Sequence, residues 1–203
     1  MAQRLQQATE LLSQQDDDWA KLISLVGDCT FSTSLEREPY VALVRAVAHQ
    51  QLHTKAGGAI FNKLIAHFGY FPEPQALFTA EFDGLRACGF SGRKIETLKG
   101  IASATMAGVV PSRADAESMT DEALISQLVT LKGIGQWTVE MMLMHTLGRM
   151  DILPVDDFGV VHGYRRLKSL ELAPTRKDML EIGKAWRPFR TIASWYLWRV
   201  PKE

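Results

Sequence analysis

Two adjacent aspartates, Asp156 and Asp157, stand in "DILPVDDFGVVHGYRRL", after Pro154 interrupts the chain and before a helical pattern begins. A carboxylate at a helix start is commonly an N-cap, because its oxygen takes a backbone N–H that has no partner within the helix. One cap needs one aspartate. The second carboxylate is therefore left over, and a candidate for some other task. Aligning the helix so that Val160 takes a core position selects Asp157, with Asp156 as the fallback.

Upstream, "LVTLKGIGQWTVEMMLMH" sets Gly133 and Gly135 on either side of Ile134. Glycines there let the backbone turn sharply at positive φ while a new helix begins at once, so several amides point outward together. Such a turn can hold an anion, a DNA phosphate included, with Ile134 anchoring it in the core. A plain turn between helices explains the same three residues.

Helices must position these residues. Apolar residues recur three and four apart in "PYVALVRAVAHQQ", "HTKAGGAIFNKLIAHF", "GRKIETLKGIASATMAG", "TDEALISQLVTL" and "TRKDMLEIGKAW", and no two-residue alternation lasts long enough for a sheet. The expected class is all-α. Ser91, Thr120 and Thr175 read as N-caps, and Gly69, Gly89 and Gly108 as stops. With 203 residues, 46% of them hydrophobic, the chain can bury a core as one body or two small lobes. No apolar run approaches the roughly 18 residues of a membrane helix, and the first residues carry no secretory or transit signal, so no membrane partner is expected. Cys29 and Cys88 are too few for a disulfide framework or a four-thiolate cluster and read as small buried residues. Histidines 49, 67, 145 and 162 lack the spacing of a catalytic zinc motif. Net charge is zero but uneven. Residues 1–38 carry −4, residues 39–161 carry −2 and residues 162–203 carry +6, so the C-terminal segment could form an electropositive face or simply solvated helix surface.

"AHQQLHTKAGGAI", "GFSGRKIETLKGIA", the glycine hairpin, the "PVDD" turn and "AWRPFRTIASWYLW" occur in an order that resembles the helix-hairpin-helix (HhH-GPD) DNA glycosylases, in particular the 3-methyladenine DNA glycosylase II group. The likeness spans most of residues 40–200 and is to compact members without an N-terminal β-rich domain. It implies two helical lobes of the HhH-GPD type with a DNA-binding cleft between them. One lobe would hold residues 1–39 and 151–203, and the other residues 40–150, with the hairpin at about 120–147.

The implied activity is that of a DNA glycosylase, hydrolysing the N-glycosidic bond of alkylated purines flipped from duplex DNA and initiating base excision repair. Asp157 is the catalytic carboxylate by this resemblance. Trp137, Met141, Phe158 and Trp198 form the base pocket, where aromatic faces attract a cationic or electron-poor base more than a normal one. Without the resemblance these residues read as core. Trp137 stands where lyase-competent relatives carry the lysine that forms a Schiff base, so hydrolysis without lyase activity is expected. Gln51 falls where the family inserts a residue into the stack and His53 beside the minor groove, although both read equally as polar residues at a helix junction. Gly133, Ile134, Gly135 and Thr138 belong to the DNA-binding hairpin, with Lys132 a phosphate contact or a solvated residue. No cofactor is required for the chemistry. By correspondence the main-chain carbonyls of Val129, Leu131 and Ile134 would hold a Na or K ion. The expected partner is double-stranded DNA with alkylated bases, the expected state a monomer, and the expected location the cytoplasm (nucleoid) of a bacterium or the nucleus of a eukaryote. A non-catalytic hairpin DNA-binding module and a helical interaction protein are the alternatives.

Overall fold

The computed structural model describes residues 1–34 and 36–202, and among these the regular structure is helical throughout. In chain order the helices are α1 (Ala2–Ser13), α2 (Asp17–Val26), α3 (Pro39–His49), α4 (Thr54–Phe68), α5 (Pro74–Thr79), α6 (Phe82–Ala87), α7 (Gly92–Met106), α8 (Arg113–Ser118), α9 (Asp121–Leu128), α10 (Gln136–His145), α11 (Phe158–Leu167), α12 (Arg176–Ile182) and α13 (Arg190–Leu197), with a 3-10 turn at Gly183–Trp186. The all-α class read from apolar spacing is the one formed.

Side chains close the helix starts as their types dictate. The Ser91 hydroxyl accepts from the Lys94 N–H and Thr120 from that of Ala123, while Thr175 and Asp178 complete a reciprocal capping box. Each such cap stabilises its helix by about 1 kcal/mol. Gly69 ends α4 in a left-handed conformation, and Gly89 and Gly108 follow α6 and α7 in the same way. Asp16 and Ser112 are further caps that the spacing did not mark.

The helices gather into two compact units, residues 1–33 with 148–203, and residues 34–147. These divisions fall a few residues from the expected 39/40 and 150/151, and hydrogen bonds account for the first of them. The Ser34 N–H donates to the His145 carbonyl at 2.9 Å. Arg113 donates from its guanidinium to the carbonyls of Arg37 and Thr146, and from its backbone N–H to the Glu38 carboxylate. Ser34, Arg37 and Glu38 are thereby tied to the central unit.

In that unit α3 packs against α4, α7 and α10, α5 and α6 lie on α7, and α9 and α10 form the arms of the hairpin. Its core includes Leu43, Val44, Val47, Leu64, Leu98, Ile101, Val139 and Leu143, all buried. Each such side chain contributes about 1.5–3 kcal/mol of apolar burial.

The discontinuous unit sets α1 against α2 and α13, and α11 against α2 and α13. Trp19 of α2 meets Trp186 edge to face at 5.4 Å, and the Tyr196 hydroxyl donates to the Gly27 carbonyl at 3.1 Å. Lys168 pairs with Asp16 at 2.6 Å and Asp18 at 2.9 Å. The positive C-terminal segment is thus partly neutralised within its own unit, since Arg190 also pairs with Asp151, Arg176 with Asp156 and Lys184 with Glu181. No helix among the described residues is long and apolar enough to cross a membrane.

Candidate active site

Asp157 is both cap and candidate catalyst. Its N–H donates to the Pro154 carbonyl at 3.0 Å, closing the turn, while its Oδ1 accepts from the Val160 N–H at 2.8 Å and starts α11. The same oxygen accepts from the indole N–H of Trp198 at 2.7 Å. Asp156 lies exposed in an ion pair with Arg176, so the capping role that either residue could have taken belongs to Asp157. Val160 is fully buried, as the alignment of α11 requires.

Phe158 is 74% exposed and lies over His162, one turn on, with ring centroids 4.0 Å apart. The polar edge of Trp198, expected in the base pocket, is engaged by the Asp157 carboxylate. Phe158 and Trp198 therefore flank Asp157 in different ways, one presenting a ring face to solvent and the other gripping the carboxylate.

The hairpin forms as a tight turn. Leu131 N–H donates to the Leu128 carbonyl and Ile134 N–H to the Leu131 carbonyl, and Ile134 is only 4% exposed, plugging the turn into the core. Its two glycines are not equivalent. Gly133 has φ +86°, and a Cβ there would collide with the Thr97 side chain of α7. Gly135, the N-cap of α10, has φ −94° and open space where a Cβ would go, so the fold itself does not require glycine there. Lys132 extends into solvent and pairs with Glu96 at 2.9 Å; that hydrogen bond, more than the accompanying charge attraction, holds the Glu96 carboxyl below its ordinary range. Thr138, grouped with the DNA contacts from sequence, is 5% exposed and its N–H donates to the Gly135 carbonyl. Its side chain faces the cavity that Trp137 and Met141 also line.

Within residues 34–147, α3, the loop after it and α10 line a cavity of about 580 Å³. Trp137 and Met141 from α10 face it with Thr138, and so do Gln51 and His53 from the loop. Trp137 is 47% exposed. Arg45, His49 and His145 complete much of the remaining wall. His145 has its proton affinity reduced, first by burial and then by the Arg37 charge. His49 Nδ1 lies 2.8 Å from the Arg45 carbonyl, which can only accept, so this nitrogen carries the proton. Gln51 adopts φ +57°, a strained conformation for a residue with a Cβ, at an exposed loop tip.

Two residues not singled out from sequence hold this loop. Gln50 donates through Nε2 to the Gly133 carbonyl at 3.1 Å, and Lys94 donates through Nζ to the carbonyls of Ala48 and Gln50 at 3.3 and 2.9 Å. Burial lowers the Lys94 pKa. A lysine reaching the last carbonyls of a helix is a familiar end contact, but its partner here comes from a distant segment and leaves no local signal. Among the described residues no group of three or more His, Cys, Asp and Glu side chains is arranged to hold a metal ion.

Among the described residues the structure is helical throughout, with a glycine hairpin plugged by Ile134 and a helix-capping aspartate that accepts from an indole. The chain belongs to the HhH-GPD superfamily of base excision DNA repair proteins, whose family model matches residues 44–188. It is 47% identical to DNA-3-methyladenine glycosylase 1 of Schizosaccharomyces pombe over 94% of this chain and 85% of that protein. It is 34% identical to the alkylbase DNA glycosidase-like protein mag2 of the same yeast, over 96% and 93% of the two chains. A solved S. pombe 3-methyladenine DNA glycosylase in complex with abasic DNA superposes with a TM-score of 0.87 at 46% identity, covering 95% of each chain. A DNA-3-methyladenine glycosidase from Bacillus halodurans gives 0.83 at 32% identity, covering 95% of this chain and 88% of that one.

Proposed function

We propose that this protein is a DNA-3-methyladenine glycosylase that hydrolyses the N-glycosidic bond of alkylated purines flipped from duplex DNA, so initiating base excision repair. The observation that carries the reading is Asp157: a half-buried carboxylate fixed at a helix start by two donors on one oxygen, in a chain 47% identical to a relative of that name. As the base departs, the sugar approaches an oxocarbenium ion. A carboxylate about 4 Å away stabilises that charge by about 4 kcal/mol at an effective dielectric of about 20, or roughly a thousandfold in rate.

The other parts have matching tasks. Trp137 and Met141 on the cavity wall supply apolar and aromatic surface for an electron-poor purine, and Phe158 presents an exposed ring next to Asp157 in the chain. Gln51, held strained at its loop tip, is the residue to occupy the gap left in the stack, with His53 alongside. The amides of Gly133, Ile134 and Gly135 approach a phosphate, and Lys132 adds its charge. Carbonyl oxygens are the neutral hard donors that suit a monovalent cation, so Val129, Leu131 and Ile134 would hold a Na or K ion there, screening the phosphate. The indole of Trp137 offers no amine for Schiff-base formation, so water is the nucleophile and lyase activity is absent. The site of action is wherever the host keeps its DNA, nucleoid or nucleus.

The test is single-turnover release of 3-methyladenine from methylated duplex by the wild type and Asp157→Asn, with binding to an abasic-site analogue measured in parallel. Excision should drop by about a thousandfold while binding persists, because asparagine remains a good cap but lacks the charge. Full activity in Asp157→Asn would remove the catalytic role from this residue. No release by the wild type would leave a DNA-binding module.

A further inference from the structure

Trp198 closes α13 and donates its indole N–H to Asp157 Oδ1 at 2.7 Å, the oxygen that also receives the Val160 N–H at 2.8 Å. Two glycines on one face of α11 make this reach possible. A Cβ at Gly163 would run into the Leu197 carbonyl, and one at Gly159 would stand 2.6 Å from Cδ1 and 3.0 Å from Nε1 of Trp198. Residues four apart share a helix face, so Gly159 and Gly163 open a lane along which α13 lies against α11 and delivers the indole to the cap.

We propose that Trp198 is a positioning residue for Asp157, fixing the plane of the carboxylate through its indole N–H, with Gly159 and Gly163 providing the necessary clearance. This rests on the reading of Asp157 as the carboxylate that faces the sugar. A carboxylate held by one backbone N–H can still pivot about χ2. A second donor on a rigid ring removes that freedom before the reaction rather than during it. The indole suits the task because it only donates, so the contact cannot reverse its sense. Displacing a catalytic group by about 1 Å can cost on the order of a hundredfold in rate. This role uses the edge of the ring, whereas stacking on a base would use its face, and the two can be separated.

Trp198→Phe keeps an aromatic face and removes the donor. Single-turnover excision should fall by about tenfold to a hundredfold, the range for losing a hydrogen bond to a charged group, with affinity for an abasic-site analogue unchanged. In an Asp157→Asn background the same substitution should cost nothing further, a non-additivity that stacking or general structural support would not produce. Replacing Trp198 by its benzothienyl isostere, with sulfur in place of N–H, repeats the test at constant shape and decides the matter if Trp198→Phe does not fold. Gly159→Ala should act in the same direction by displacing the indole. Wild-type excision by the isostere, or equal losses in both backgrounds, would overturn the proposal while leaving Asp157 in place. A fully active Asp157→Asn would overturn both.

Discussion

The side-chain amide of Gln50 donates to the carbonyl of Gly133 at 3.1 Å, joining two turns that lie 83 residues apart in the chain. One turn follows α3 and presents Gln51 and His53; the other is the hairpin. Gln50→Ala should leave the fold intact, since a hydrogen bond at an exposed position contributes only about 0.5–1.5 kcal/mol. Affinity for undamaged duplex should weaken and amide exchange in residues 131–135 should quicken. Unchanged exchange would show that the turn holds its shape without this tie.

Gly133 and Gly135 should separate stability from binding. Gly133→Ala places a Cβ at φ +86° against Thr97, so thermal denaturation should report a loss of at least 1 kcal/mol. Gly135→Ala meets nothing within 4 Å and should melt like the wild type, with loss confined to DNA affinity where backbone must approach phosphate. Equal melting temperatures for both variants would contradict the hairpin geometry.

Gln51 should show strain kept for use. Replacing it with glycine removes the steric penalty of φ +57°, about 1–2 kcal/mol for a residue with a Cβ, although the greater freedom of glycine in the unfolded chain offsets part of this. The melting temperature of Gln51→Gly should hold or rise, while excision from duplex DNA falls because nothing fills the vacated stack. Undiminished excision would show that Gln51 stays outside the helix.

With an indole at position 137, the proposed reaction is hydrolysis without lyase chemistry. Incubation with methylated DNA should yield intact abasic sites, and borohydride should trap no covalent complex. Trapping would direct attention to Lys132, the nearest lysine in sequence. Trp137→Ala should reduce excision to the extent expected from losing about 1–3 kcal/mol of stacking.

Acid should destabilise the protein in two windows. His145 has a depressed pKa in the fold, so its contribution is complete above its ordinary value of about 6.5 and is lost as pH falls through the lower folded value. Burial alone would push Asp16 upward, but the Lys168 hydrogen bond and the α2 backbone amides together outweigh it and leave the pKa lowered. Its contribution is therefore present above about pH 4 and lost below that. Lys168, raised by Asp16 and Asp18 against the opposing effect of burial, loses its contribution only as pH climbs beyond about 10.5. The difference in melting temperature between wild type and Lys168→Met should stay flat from pH 5 to 9 and shrink below about pH 4, with each exposed carboxylate pairing contributing roughly 0.2–1 kcal/mol.

Helical spacing and cap chemistry are local, which is why α3, α4, α7 and α9 could be read from the sequence together with the caps at Ser91, Thr120 and Thr175. Short helices such as α5 and α6 span too few residues to display a period. The "PVDD" turn pointed to Asp157 because a cap and a core position three residues apart leave one consistent alignment. What escaped notice required partners from far along the chain, as with Gln50 on Gly133, Lys94 on Ala48 and Gln50, and Trp198 on Asp157. The last did leave a trace. Gly159 and Gly163 are four apart on a short helix beside the aspartate, and that spacing signals another backbone passing close by. Which face of α10 Thr138 occupies could not be read from its polarity; it is buried and lines the cavity beside Trp137 and Met141.

The partners of the first two helices arrive late. Trp19 must wait for Trp186 and Asp16 for Lys168, while residues 34–147 form a continuous body that can complete itself earlier. At roughly 5–20 residues per second of synthesis, the nascent chain carries the apolar faces of α1 and α2 unburied for on the order of ten seconds. A ribosome that stops before α11 would release a finished hairpin attached to two helices with nowhere to go, and such a fragment is a natural client for chaperones and proteases.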